Sequence, residues 1–280
     1  MGIYHRPSKL KDALAVMAAV DARPIAGCTD VFAAIEAQEL PGEVLDITGL
    51  KELKGITETK DFWRIGAATS WRDIRCFEFP PAFEMLRQAA SEIGSVQIQN
   101  TGTIGGNICN ASPAADGIPP LLALDAIVEL RSQQGIREVA LADFVTGARC
   151  IARQKGELVS AILIPKGSAT GRSCFVKLGA RKHLVISISM VAVRLDIENS
   201  IILSSAIAIG ACGPVAKRAW DLEDTLNGKA IDAAHNLVAR SHFDSLLSPI
   251  SDIRGSAEYR AETVDELVRR SIKLLAGLAD

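Results

Sequence analysis

The stretch Gly102-Thr103-Ile104-Gly105-Gly106-Asn107-Ile108-Cys109-Asn110-Ala111-Ser112-Pro113-Ala114-Ala115-Asp116 decides how this chain is read. Adjacent glycines among small polar residues, closed by a Ser-Pro break, let the backbone turn sharply and aim several N–H groups at one point. A concave row of amides of this kind seats phosphate. The same residues also read as a hairpin turned at Gly105-Gly106, because Gly-Gly between short apolar runs is an ordinary hairpin signal. Upstream, Arg23-Pro24-Ile25 reads as a short strand ending in a second small-residue turn, Ala26-Gly27-Cys28-Thr29-Asp30, directly before a helix expected over 31–38. The leading N–H groups of a helix lack partners inside it and carry partial positive charge, so the turn suits an anion. Thr29 or Asp30 as a plain N-cap is the other reading.

The 280 residues are enough to bury a full core without disulfides. With 48% hydrophobic and 23% charged residues and a formal net charge of -2, the composition gives no sign of nucleic-acid or membrane-surface binding. The cysteines Cys28, Cys76, Cys109, Cys150, Cys174 and Cys212 form no C-x-x-C pair, so no zinc or iron–sulfur site is expected on this chain. The first residues, Met1 to Pro7, lack the apolar core of a signal peptide, and a cytoplasmic protein is expected. The apolar run Ile201 to Cys212 is too short to span a bilayer and rich in β-branched residues, as in a buried strand.

In chain order, Ser8 is placed to cap a first helix with Leu10, Ala13, Leu14, Met17 and Ala18 on one face. Strands are expected at 44–47, 53–59, 62–68, 126–131, 137–141 and 158–164, with hairpin turns at Lys60-Asp61 and Gln133-Gln134-Gly135. Short helices are expected after Ser70, from Pro80-Pro81 through Ala90, and near Pro120. Lys166 to Gly171 reads as a linker. Beyond it, three β-rich runs at 174–178, 185–196 and 201–211, with turn chemistry at Asn199, precede a final helix at 263–278 whose expected capping box pairs Thr263 with Glu266. Strands followed by helices point to a separate α+β unit from about residue 171.

With both glycine turns placed, the chain resembles the FAD-binding medium subunit of the molybdenum hydroxylases, the family of xanthine dehydrogenase and carbon monoxide dehydrogenase. Ala26-Gly27-Cys28-Thr29-Asp30 is similar to the family's A-G-G-T-D or A-G-G-H-S motif. Thr103-Ile104-Gly105-Gly106-Asn107, with Asp116 after it, is similar to its T-I-G-G-N motif, and the later Lys177 to Lys182 run also fits. The resemblance implies an α+β fold: a two-part FAD-binding domain of the PCMH / CO dehydrogenase flavoprotein type, over 1–57 and 58–170, and a smaller α+β domain over 171–280 built on a three-stranded antiparallel sheet with helices.

It also implies roles by position. Amides from Ile25, Ala26, Gly27, Cys28, Thr29 and Asp30, and from Thr103, Ile104, Gly105, Gly106 and Asn107, are expected to hold the pyrophosphate of a noncovalent FAD. Asp116 falls near the sugar and phosphates, Val159 against the flavin, and Lys177 near the isoalloxazine ring. Without the family pattern, Asp116 reads as a turn cap, Val159 as strand core and Lys177 as a solvated strand end. No side chain is expected to act as an acid or base. The implied partners are a molybdenum cofactor-binding large subunit and a 2Fe-2S small subunit, assembled as a dimer of heterotrimers. Electrons would pass from 2Fe-2S clusters through FAD to NAD+ or another acceptor. A self-sufficient flavin reductase on the same scaffold and a flavin-free interaction subunit are the alternatives. Three departures stand out: Cys28 replaces a glycine, Gln99 replaces an arginine, and Ile93 replaces an aromatic residue.

Overall fold

The computed structural model describes residues 3–20, 22–34 and 42–278, and builds them on three main sheets. The first is parallel, with Val44–Asp46 between Tyr4–His5 and Arg23–Ile25. Helix Leu10–Val20 covers it by burying Leu10, Ala13 and Met17 against Leu45, Leu50 and Leu53, the period expected of one apolar face. Its first N–H donates to Glu52 Oε1 at 3.2 Å, so a side chain from outside the segment serves the terminus assigned to Ser8.

The second sheet is antiparallel and runs Ile56–Glu58, Phe62–Gly66, Leu158–Pro165, Ile127–Ser132, Gly135–Ala140 in spatial order. Both expected hairpins are present, and Leu158–Pro165, buried along nearly its whole length, is the central strand. Ser70 caps helix Trp71–Cys76 in a full capping box with Asp73. The helix expected from Pro80 begins as a 3-10 turn, Pro81–Phe83, and continues as Glu84–Glu92.

The third sheet carries the three long strands, Arg172–Leu178, Ser189–Glu198 and Ile201–Gly210, and adds a fourth, Lys217–Arg218, at its edge. That edge strand is two residues long, too short for any alternation to mark it. Asn199 and Ser200, with φ of 50° and 65°, make the primed hairpin turn between the second and third strands. The strand expected from 185 starts only at Ser189, because 185–187 is drawn aside to serve buried polar groups described below.

Both faces of this sheet are covered, which is why its strands read as continuous apolar runs. Cys174, Val191, Val193, Leu195, Ile207 and Ile209 face helix Ala257–Ala276. The alternate positions Phe175, Met190, Ala192, Ala206 and Ala208 join the core of the second sheet. The long helix begins six residues earlier than expected: Ser256 is its N-cap, accepting from the Tyr259 N–H, and Thr263 lies inside it, bonded to the Arg260 carbonyl. Leu274 and Leu278 lie at the C-terminal end of this helix's stretch and are 45% and 44% exposed.

The third sheet is fastened to the second by arginines. Helix Ile118–Ala123 ends against two arginines of the third sheet: Arg194 Nε donates to Ala123 O at 3.1 Å, and Arg218 Nη1 donates at 3.0 Å to Leu122 O, which also accepts from the Asp125 N–H. Arg218 also binds Asp125 at 2.6 Å and Glu223 bidentately at 2.7 and 2.6 Å, while Glu223 Oε1 accepts from the Ile207 N–H at 2.7 Å. Removing one member of a buried ion pair leaves the other charge uncompensated and costs about 3–5 kcal/mol. Arg218→Leu is therefore expected to lose about that much in urea unfolding, and Arg218→Leu with Glu223→Leu to recover part of it; a single variant within about 1 kcal/mol of wild type would contradict this account.

Candidate functional site

The two glycine turns, about 75 residues apart in sequence, meet at one cleft. It encloses about 260 Å³ and is lined on one side by Arg23 to Val31 and on the other by Gly102, Thr103, Gly106, Asn107, Cys109 and Asn110, with Trp71, Ile93 and Ile98 between them. The meeting depends on close backbone approach. A Cβ at residue 27 would sit 1.8 Å from the Thr101 carbonyl oxygen, and one at residue 105 would sit 2.6 Å from the Ala67 carbonyl oxygen.

The turns present different surfaces. Gly105-Gly106 is not a hairpin: Thr103 caps helix Ile104–Asn110, its Oγ1 accepting from the Gly106 N–H at 3.1 Å. Of the amides expected to seat phosphate here, those of Ile104, Gly105, Gly106 and Asn107 are engaged. Ile104 N–H donates to Thr69 O, Gly105 N–H to Ala67 O and Asn107 N–H to Thr103 O. At Gly106 a Cβ would meet only Thr103 Oγ1, at 3.0 Å, so this glycine is cleft floor. In the other turn, the N–H groups of Gly27, Cys28, Thr29 and Asp30 have no hydrogen-bond partner among the described residues. The expected helix after it is a 3-10 turn, Phe32–Ala34, within the described residues; 35–38 lie outside them. Asn107 Oδ1 is buried at the cleft and likewise has no partner.

A second cleft, of about 220 Å³, shares Pro24, Ile25, Ala26, Gly106 and Cys109 with the first. Its remaining wall is apolar except at one place: Ile47, Ala67, Gly105, Ile151, Leu158 and Val159, with Arg153. Val159 thus lies across the glycine floor from the free amides. Ile104 is wholly buried and lines neither cleft.

Asp116 and Lys177 form a buried pair at 2.8 Å, 9% and 7% exposed in their side chains. The Ser187 hydroxyl donates to the other oxygen of Asp116 at 2.5 Å. Lys177 Nζ also donates to the carbonyls of Glu92 and Val185 at 3.3 Å each. These contacts draw 185–187 away from the neighbouring strand. Burial pushes the Asp116 carboxyl upward, against the pull of Lys177 and Ser187. Glu92 precedes Ile93 on the first cleft's wall, so the pair stands behind that wall rather than in the cleft.

The remaining departures resolve locally. Gln99 points inward, its Oε1 accepting from Arg75 at 3.0 Å and its Nε2 donating to Ser91 O at 2.9 Å. Burial drives the Cys109 thiol up to about 12, and burial beside Asp46 also raises Cys28, so both thiols at the cleft stay protonated. Sequence reasoning missed Trp71, Ile98 and Arg153. Helix Val96–Thr101, which carries Ile98, has too little apolar patterning to announce itself.

Comparison with known proteins follows this geometry closely. Residues 1–167 match the family model for the FAD binding domain in molybdopterin dehydrogenase, and residues 175–275 match that for the CO dehydrogenase flavoprotein C-terminal domain. The chain belongs to the FAD-binding medium subunits of the molybdenum hydroxylases. Within this family it is 32% identical to the glyceraldehyde dehydrogenase medium chain of Sulfolobus acidocaldarius, over 98% of each chain. It is 30% identical to the carbon monoxide dehydrogenase medium chain of Afipia carboxidovorans, over 96% of this chain and 95% of that one. A chain of the reconstituted CO dehydrogenase from Oligotropha carboxidovorans superposes with a TM-score of 0.91 at 29% identity, covering 100% of this chain and 99% of the other. The medium subunit is thus part of an oxidoreductase with FAD as its cofactor. Among the described residues, no helix is long and apolar enough to cross a membrane, and no His, Cys, Asp and Glu cluster is arranged to hold a metal ion.

The residues present fit FAD: a row of unpartnered amides, an unpartnered buried amide oxygen at Asn107 and a glycine floor between a polar and an apolar cleft. The turn holding the free amides carries strain. Cys28 has φ of 57°, the left-handed region that costs a non-glycine residue about 1–2 kcal/mol. Cys28→Gly relieves that cost but adds about 0.5–1 kcal/mol of unfolded-chain entropy. The net expectation is a gain of about 0.5–1 kcal/mol, read as a higher urea midpoint at unchanged slope; a lower midpoint would show that the thiol's contacts outweigh the strain.

Proposed function

We propose that this chain is the electron-transfer subunit of a molybdenum hydroxylase, taking electrons from 2Fe-2S clusters on a small partner subunit and passing them through FAD to NAD+ or another acceptor. A large partner subunit carries the molybdenum cofactor, the assembly is a dimer of heterotrimers, and the complex works in the cytoplasm. The observation that supports the reading best is the single cleft onto which both glycine turns converge, with free amides on one wall.

In this reading the amides of Gly27, Cys28, Thr29 and Asp30 receive the pyrophosphate, and Asn107 lines the same cleft. Ile25 and Ala26 form the rim between the two clefts, and Thr103, Gly105 and Gly106 keep the floor low. Val159 packs on the nucleotide. Lys177, held by Asp116 and Ser187, sets a fixed ammonium behind the wall that carries Ile93. Bound FAD supplies the redox chemistry; the chain's residues bind it, orient it and keep water from it. In this reading no side chain acts as a general acid or base, and the two cleft thiols are held protonated.

Gly106→Val tests the assignment cleanly, because its side chain enters the cleft floor and meets only Thr103. After incubation with FAD and desalting, the wild type is expected to retain a visible flavin band that denaturation releases. The variant is expected to lose at least about 90% of it while keeping its unfolding transition. Full retention by Gly106→Val would place the nucleotide elsewhere. A wild type that stays colourless alone and in the co-expressed complex would favour a flavin-free subunit.

A further inference from the structure

The connection between the first two strands of the third sheet carries charge of one sign. No acidic residue occurs between Glu157 and Asp196, and within that span Arg181, Lys182 and His183 stand exposed in a row on the loop 179–187. The base of the loop is closed where the Ile188 N–H donates to the Leu178 carbonyl at 2.8 Å. Lys177, Arg181 and Lys182 line a groove of about 420 Å³ on this loop, with Glu92 as the carboxylate of its described lining. Lys177 is already neutralised by Asp116, whereas Arg181 and Lys182 have no carboxylate partner among the described residues.

The loop is held in shape and displays apolar side chains. Arg181 donates its Nε at 3.0 Å, and also its Nη2, to the Leu184 carbonyl, fixing Leu184 at a φ of 54° that few bulky residues adopt. Leu184 and Ile186 are each more than half exposed. Beside the base lies a second fixed turn. Asp252 and Gly255 exchange main-chain hydrogen bonds at 3.1 and 3.2 Å, and Asp252 binds Arg254 at 2.6 Å and the buried Arg260 at 2.7 Å. A Cβ at Gly255 would lie 3.6 Å from Ile188, which places the turn against the root of the loop. The turn presents Ile253, fully exposed; tied in this way it loses little freedom when a partner covers it. Protruding apolar side chains beside unpaired cations suit a protein surface, whereas a small nucleotide is held in a concave pocket.

We propose that this face docks an acidic electron-carrier protein, the acceptor that takes electrons from FAD. The proposal rests on the electron-relay reading above and names the class of acceptor that the reading leaves open. Lys177 and Glu92 join the groove to the wall that carries Ile93 on its cleft side, so a carrier seated here lies behind the proposed cofactor site. Reduced FAD, as FADH2, holds two electrons; two carrier molecules docking in turn take one each, and the two protons pass to water.

The test is binding, read by calorimetry on the flavin-loaded full chain and on its co-expressed complex, with an acidic plant-type ferredoxin and an acidic flavodoxin as probes. The wild type is expected to bind a probe in both forms, with affinity falling about tenfold from about 50 to about 200 mM salt. Lys182→Glu is expected to weaken binding about tenfold and Ile253→Ser about threefold, both keeping the flavin band and the urea midpoint of the wild type. Equal binding by wild type and Lys182→Glu, or no binding of either probe by a flavin-retaining wild type, would overturn the proposal and leave the cofactor reading standing. So would binding to the chain alone that is lost in the complex, which would make the face a subunit interface. An NADH affinity lowered about tenfold by Lys182→Glu would also overturn it, by making the face a nucleotide site. A wild type that retains no flavin alone or in the complex would overturn the reading beneath the proposal, and the proposal with it.

Discussion

Only a glycine fits where residue 27 passes the carbonyl of Thr101. A single added carbon there would fall 1.8 Å from the oxygen, and no side-chain movement could relieve a clash between two main chains. This contact brings the first sheet against the helical segment of the second, and the clefts exist only because it closes. Its effect on chemistry is indirect but decisive. With the turns so close, the amides of Gly27 to Asp30 face a confined space instead of bulk water, where the dipole of each N–H acts with less screening.

The third sheet serves that arrangement from behind. Its two faces carry different side chains: large β-branched residues toward the long C-terminal helix, and Ala192, Ala206 and Ala208 toward the second sheet's core. The small face lets helix Ile118–Ala123 lie close, and Arg194 and Arg218 then donate to the Ala123 and Leu122 carbonyls at its end. Phe175 and Lys177 therefore arrive at a fixed distance behind helix Glu84–Glu92, where the Lys177 ammonium reaches the Glu92 carbonyl and meets Asp116. Packing, rather than any local motif, places the buried ion pair.

What was legible in the sequence follows from the range of the interactions involved. Hairpins at Lys60-Asp61 and Gln133 to Gly135 are set by turn residues and alternation within a dozen positions, and they were readable. The apolar run at Ile201 was readable too, because a strand covered on both faces has no alternation to hide it. Thr103 capping a helix was not, since Gly-Gly in the first turn argues locally for a turn; the helix is stabilised by Thr69 and Ala67, whose carbonyls take its first amides. Similarly, Thr263 and Glu266 form a sound capping signature inside a helix that tertiary packing extends back to Ser256. Both glycine motifs could be found from spacing, but which of them keeps its amides free depends on partners around 67–69. Arg153 belongs to no pattern; only folding puts it beside Val159.

The division of labour between the two turns explains the electrostatic character of the site. A pyrophosphate anion is usually met by lysine or arginine, yet the lining of the polar cleft includes one arginine, Arg23, and one carboxylate, Asp30. In the proposed binding mode, amide dipoles take the place of cations. They are set by the backbone, so binding need not order long side chains, and they add no net charge to a chain already balanced at -2. Burial keeps the two nearby thiols neutral, so neither opposes the anion. The charged groups stand at the margins: Lys177 neutralised by Asp116 behind one wall, and Arg153 bonded to main-chain carbonyls in the apolar cleft.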